Sequence, residues 1–200
     1  MNEATPSGYY PLVIHSGPAL QCMSDHEFFE FCQANPELRI ERTSAGDLII
    51  MPPTTTDTGR RNFNLTAAIA RWAEADGTGV GFDSSTGFTL PNGAMRSPDV
   101  AWMPRAKWEA LTDDERREFA PVCPDFVAEL RSPSDSLRWL QAKMEEYIAN
   151  GARLGWLIDP LKRKVYVYRP HAAVQCLDDP SVVSGEPVLP GLALHIDRIW

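Results

Sequence analysis

A chain of 200 residues, 44% hydrophobic and 23% charged, has the make-up of one ordinary globular domain. Its net charge of −8, from 19 basic and 27 acidic residues, argues against avid, sequence-independent nucleic-acid binding, which needs clustered Lys and Arg to release counterions. No apolar run reaches the length of a membrane span, and Cys22, Cys32, Cys123 and Cys176 form neither a Cys-x-x-Cys pair nor a zinc pattern. These four are expected to be reduced, buried thiols rather than a disulfide framework. The N-terminus lacks the basic and then apolar pattern of a signal segment, so a cytoplasmic protein is expected.

Residues 1–22, with Pro6, Gly8, Pro11, Gly17 and Pro18, read as an irregular arm ahead of one mixed α/β domain over 23–200. Ser24-Asp25-His26-Glu27 is a capping box, and Phe28, Phe31 and Cys32 continue it as a helix to about Asn35. Segments 38–42 and 47–51 flank Thr43-Ser44-Ala45-Gly46 as a hairpin, ended by Pro52-Pro53. Asp57 is the expected cap of a long helix with Leu65, Ile69, Trp72 and Ala73 on one face and Gly77 as terminator. Short strands near 79–82 and 87–90, a turn at Pro91-Asn92-Gly93 and a strand over 99–103 follow. Residues 105–118 read as a polar surface helix. A strand over 126–131 leads through Ser132-Pro133-Ser134-Asp135 to a helix over 136–150, closed by Gly151. Strands over 155–159 and 164–168 enclose a turn, and the alternation of Leu192, Leu194 and Ile196 predicts a half-buried last strand.

Two acids stand out. Asp99 follows Arg96-Ser97-Pro98 and precedes Val100-Ala101-Trp102, while Glu129 lies inside Phe126-Val127-Ala128-Glu129-Leu130-Arg131. Ionised side chains are rare in such buried strands unless paired or metal-bound. On neighbouring strands, about 5 Å apart, they would repel by about 3 kcal/mol at an effective dielectric of 20. Without a cation, one should protonate. Mg²⁺ keeps several waters, so two acids and a backbone carbonyl suffice to hold it. Such an ion screens a phosphodiester, positions a water and stabilises the leaving oxygen, which is nuclease chemistry.

Simpler readings stand beside this one. Alternation puts Val127, Glu129 and Arg131 on one strand face, so Glu129 and Arg131 could form a surface pair. In the helix over 136–150, Leu137, Leu140, Met144, Tyr147 and Ile148 form the apolar stripe, with Lys143 at its edge beside the strand of Glu129. A snorkelling boundary lysine is the alternative for Lys143. His15, His26, His171 and His195 fall outside any metal spacing and read as structural or exposed. Ser132, Ser134 and Ser136 serve to turn the chain and cap the helix, and Asp159-Pro160 ends a strand.

Pro98-Asp99-Val100, the run from Glu129 to Asp135, then Lys143, Tyr147, Gly151 and Trp156-Leu157-Ile158-Asp159-Pro160 together resemble the Uma-type restriction endonucleases of the PD-(D/E)XK nuclease superfamily. The resemblance runs from about residue 23 to 195 and includes the hairpin around Glu41 and Gly46 and the segment Met51-Pro52-Pro53-Thr54. It implies a restriction-endonuclease-like fold, a central mixed sheet flanked by helices. It also implies Mg²⁺, replaceable by Mn²⁺, ligated by Asp99, Glu129 and the Leu130 carbonyl. The superfamily's lysine two residues after the Glu is Arg131 here, and a guanidinium is a poor proton acceptor. By resemblance the lysine moves to the next helix as Lys143, to orient or deprotonate the water, while Arg131 braces the phosphate or Glu129. Glu41 matches an acid of the family's first hairpin and either approaches the metal or is an exposed hairpin charge. Thr58 stands where relatives often carry a His.

The implied activity is Mg²⁺-dependent endonucleolytic hydrolysis of DNA, by in-line attack of water without a covalent intermediate. A homodimer is expected, since paired active sites cut two strands, and the apolar tail (Leu189, Leu192, Leu194, Ile196, Ile199, Trp200) covers either a neighbour or its own sheet. A nuclease-fold binding module with weak or no catalysis is the rival reading, favoured by the acidic balance. A phosphodiesterase acting on RNA or small molecules is a third.

Overall fold

The structure, a computed structural model, describes residues 12–15 and 23–200. Ser24 caps α1 (Asp25–Ala34) with the expected box, its hydroxyl accepting from the Glu27 N–H and its own N–H donating to the Glu27 carboxylate. The expected hairpin forms from β2 (Arg39–Arg42) and β3 (Leu48–Met51), with Glu41 opposite Ile49. Inside the stretch expected to be irregular, Leu12–Ile14 instead form β1, paired antiparallel with the free edge of β3. Cys22 and the rest of that arm, His15 apart, lie outside the described residues.

The long helix, α2 (Thr56–Asp76), is capped by Thr55 and not by Asp57. The Thr55 hydroxyl accepts from the Thr58 N–H, the third donor of the first turn. Asp57 sits within that turn, where its carboxylate meets the positive end of the helix dipole and pairs with Arg60 and Arg61. Gly77 terminates α2 at a φ of 67°, as its position implied. Then come β4 (Gly79–Asp83), β5 (Phe88–Thr89), β6 (Met95–Arg96) and β7 (Val100–Pro104). The single polar helix expected over 105–118 is two short ones, α3 (Arg105–Glu109) and α4 (Asp113–Arg117). They part because Thr112 starts the second with its own capping box to Glu115.

The chain continues through β8 (Phe126–Leu130), α5 (Leu137–Ala149), β9 (Leu154–Asp159), β10 (Lys164–Tyr168), β11 (Gln175–Asp178), β12 (Val182–Ser184) and β13 (Ala193–His195). A six-stranded sheet has the order β11-β10-β9-β8-β7-β4, and a five-stranded one the order β1-β3-β2-β6-β5. Within the larger sheet only β8 and β9 are parallel, and α5 is the crossover between them. Both faces of β8 are therefore covered. Phe126, Ala128 and Leu130 pack with Leu65 and Ile69 of α2, whereas Val127 packs with Leu140, Met144 and Tyr147 of α5. The result is the mixed α/β architecture expected, a central mixed sheet between helices.

The tail covers its own sheet: Leu189, Leu192, Leu194, Ile196 and Ile199 are buried in the same core as α2. Cys32, Cys123 and Cys176 are free thiols, as expected, but only Cys123 is fully buried. Cys176 is exposed because β11 is an edge strand. Among the described residues, no helix is long and apolar enough to cross a membrane.

Candidate active site

The antiparallel register of β7 and β8 decides where the two acids meet. Its last pair is Val100 with Ala128, so Asp99 and Glu129 come next, one step beyond. Asp99 Oδ2 accepts the Leu130 backbone N–H at 2.8 Å, which lays that peptide against the carboxylate. Asp99 Oδ1 accepts Asn62 Nδ2, from α2, at 3.1 Å. Glu129 is buried, and its Oε1 accepts from the Tyr147 hydroxyl at 3.1 Å and from Lys143 Nζ at 2.8 Å. A cleft of about 120 Å³ opens here, its lining including Asn62, Asp99, Glu129, Leu130, Trp139 and Lys143.

Lys143 is no snorkelling lysine. It is 4% exposed, and its ammonium lies 2.8 Å from Glu129 Oε1 and 2.8 Å from Glu41 Oε1. Glu41 is not an exposed hairpin charge either. It is wholly buried, pairs also with Arg96 Nη1 at 3.2 Å and accepts the Ser97 N–H at 3.0 Å. Arg96 in turn reaches Glu146 Oε2 at 2.6 Å. Glu41 thus grips Lys143 from behind and does not line the cleft. Arg131 is drawn elsewhere: its Nη1 lies 2.8 Å from Asp159 Oδ2, at the end of β9, and its Nε donates to the Asp135 carbonyl. A surface pair of Arg131 with Glu129 does not form, and Arg131 does not line the cleft.

Burial pushes Glu129 up to about 7, with repulsion from Asp99 and Glu41 adding to it and Lys143 opposing. Burial also raises Asp99, against the Leu130 N–H. For Glu41 burial works the same way, but Lys143 and Arg96 outweigh it and hold the carboxyl below its ordinary value. Burial disfavours the Lys143 ammonium, yet Glu129 and Glu41 outweigh it and keep the amine charged. Asp99, Glu129, Glu41 and Glu146 set four negative charges against the two positive ones of Lys143 and Arg96, a formal excess of two.

A pH dependence follows. Glu129 binds a proton more tightly folded than unfolded, so its contribution is complete below its unfolded value near 4.5 and is lost as pH rises through about 7. Without metal, stability from this group should fall by as much as about 3 kcal/mol between pH 5 and 8. Asp99 acts with the same sign, and Glu41 acts only on the acid side of that window. Urea midpoints across the window measure the slope, and Glu129→Gln should flatten it.

The donor set fits a hard divalent cation. Among the described residues no group of three or more His, Cys, Asp or Glu gathers as a ligand set. Two carboxylates with raised affinities for protons do meet, in a cluster with an excess of two negative charges, beside an amide oxygen (Asn62 Oδ1) that is buried without a partner. Mg²⁺, which keeps much of its water, needs no more protein than this.

Asn62 and Arg96 were not anticipated from the sequence. Asn62 could have been found, because Thr58, Asn62, Leu65 and Ile69 follow the helical spacing of a buried stripe, and a polar residue on such a stripe calls for a partner. Thr58, in the position where relatives often carry a His, is buried with its hydroxyl 3.1 Å from that of Thr55. Arg96 lies on a two-residue strand, too short for any periodicity to show.

A family model described as "Uma2: Putative restriction endonuclease" matches residues 25–197. Among solved structures, a "putative nuclease belonging to DUF820" from Anabaena variabilis ATCC 29413 is similar, with a TM-score of 0.69 and 23% identity over 82% of this chain and 90% of that one. At that identity the likeness speaks for the fold alone. No curated protein matches the chain.

Proposed function

The chain belongs to the family described as "Uma2: Putative restriction endonuclease", and from that premise we propose that it is a Mg²⁺-dependent endonuclease hydrolysing DNA phosphodiester bonds in the cytoplasm. One observation carries the reading: Asp99, Glu129 and Lys143 converge on one cleft, within an ion-pair cluster whose charges carry an excess of two negative. Asp99, Glu129 and the Leu130 carbonyl would hold Mg²⁺, or Mn²⁺ in its place. Once bound, such an ion screens the phosphate, lowers the pKa of a water and steadies the leaving oxygen.

The chain's own groups do the rest. Lys143 stays an ammonium, so it donates hydrogen bonds and stabilises charge rather than removing a proton. A water oxygen bonds to phosphorus as the bond to the departing sugar oxygen breaks, the water giving up a proton to solvent and the sugar oxygen taking one up from it, and no covalent intermediate forms. Arg131, tied to Asp159 and to the Asp135 carbonyl, braces the loop that carries Ser132 and Asp135 along the cleft wall. A homodimer that cuts two strands would have to meet through some surface other than the apolar tail, which is already buried.

Cleavage of mixed DNA substrates in Mg²⁺ or Mn²⁺, beside Asp99→Ala, tests the reading. Wild type should cut, and a hundredfold excess of metal over its dissociation constant should stabilise it by about 2.7 kcal/mol. Asp99→Ala should lose both effects. Cutting that survives in the variant would place the chemistry elsewhere. A wild type that neither cuts nor binds metal would leave the binding module, which the net charge of −8 favours.

A further inference from the structure

We propose that Asn62 is a positioning residue of the cation site, orienting Asp99 through its amide N–H and accepting a hydrogen bond from a cation-bound water through its amide oxygen. This rests on the cation reading of the cleft and extends it to a helix that reading does not use. On α2 the buried stripe descends from Ile69 and Leu65, 1% and 0% exposed, to Asn62, where the helix reaches the cleft. A leucine there would simply continue the stripe.

The amide has one sensible orientation. An ionised carboxylate only accepts, so Asn62 turns Nδ2 toward Asp99 Oδ1, at 3.1 Å. Its oxygen is thereby fixed on the other side, where it is buried and has no hydrogen-bond partner in the protein. An acceptor left in that state has given up its water without gaining a partner, which is costly. The charged donors of the cleft are already committed, because Lys143 faces Glu129 and Glu41 while Arg39 donates to the Ser84 carbonyl. The missing donor therefore comes with the cleft's occupant. A hydrated divalent cation supplies it, since Mg²⁺ and Mn²⁺ present bound waters as strong donors and a neutral oxygen receives one without adding charge.

Mn²⁺ calorimetry and metal-free melting of wild type, Asn62→Leu and Asn62→Asp test this. Loss of such an outer-shell partner weakens metal binding by roughly 10–100-fold, and that is the effect expected of Asn62→Leu. Its metal-free melting temperature should change little, because losing the orphaned oxygen offsets losing the bond to Asp99. Asn62→Asp should instead bind Mn²⁺ more tightly while lowering the metal-free melting temperature by crowding Asp99. A purely structural asparagine gives no such opposed pair. Asn62→Leu binding Mn²⁺ within twofold of wild type would overturn the proposal while leaving the cation site standing. Should Asn62→Leu fail to fold, Asn62→Asp decides, and affinity at or below wild type overturns it. If wild type binds no Mn²⁺, the cation reading falls and the role of Asn62 falls with it.

Discussion

Lys143→Met should lower single-turnover cleavage at saturating Mg²⁺ by about two orders of magnitude or more, the scale of losing a positioned polar group at the reacting centre. The ammonium stands 2.8 Å from Glu129 on the cleft side and 2.8 Å from Glu41 behind, so its loss removes the positive charge that faces Glu129. Affinity for Mg²⁺ should hold or rise, because no ligand is lost and a competing cation has gone. Arg131→Lys is the matched control. It keeps a cation for Asp159 and gives up the bond to the Asp135 carbonyl, so its effect on rate should be mild. The opposite pattern, with Arg131→Lys inactive and Lys143→Met near wild type, would move the catalytic cation back to the strand. Both variants near wild type would assign the cleavage to a contaminant or another site.

What could be read in advance was local. The box at Ser24, the alternation of β8 and the stripe of α5 each rest on a few consecutive residues, and β8 and α5, with the β7 register, bring Glu129, Lys143 and Asp99 to one cleft. Glu41 shows where such reading stops. Hairpin alternation places it on a face of β2, but its partner Lys143 lies 102 positions away on a helix over the other sheet. Whether that face meets solvent, a metal or a lysine depends on how two sheets pack, which no local pattern encodes. Arg131 failed for a related reason. Its strand face was right, but the parallel register that pairs Leu130 with Ile158 brings the next residue of β9 alongside, and that buried Asp159 competes for the guanidinium more effectively than Glu129. At Thr55 and Asp57 two good capping residues lay two positions apart, and backbone geometry alone chose between them.

Glu41 also carries the largest stability effect expected. Removing one member of a buried ion pair leaves its partner uncompensated, at a cost of about 3–5 kcal/mol. Glu41→Gln strips a shared counter-charge from both Lys143 and Arg96, although each keeps one other acid, Glu129 and Glu146 respectively. The loss should therefore fall near the lower end, about 3 kcal/mol by urea unfolding at pH 7. It should shrink as pH falls, because Glu41 sits below its ordinary value and stabilises the fold only while ionised. Glu41→Gln combined with Lys143→Met should lose less than the two single losses together, since each removes the other's unpaired charge. Cleavage should drop as well, with Lys143 no longer held from behind, and the double variant should cut no better than Lys143→Met alone. If Glu41→Gln instead unfolds at the wild-type urea concentration and loses Mg²⁺ affinity, Glu41 does not anchor Lys143. It then takes the other role its place in the hairpin implied, as an acid that reaches the cation.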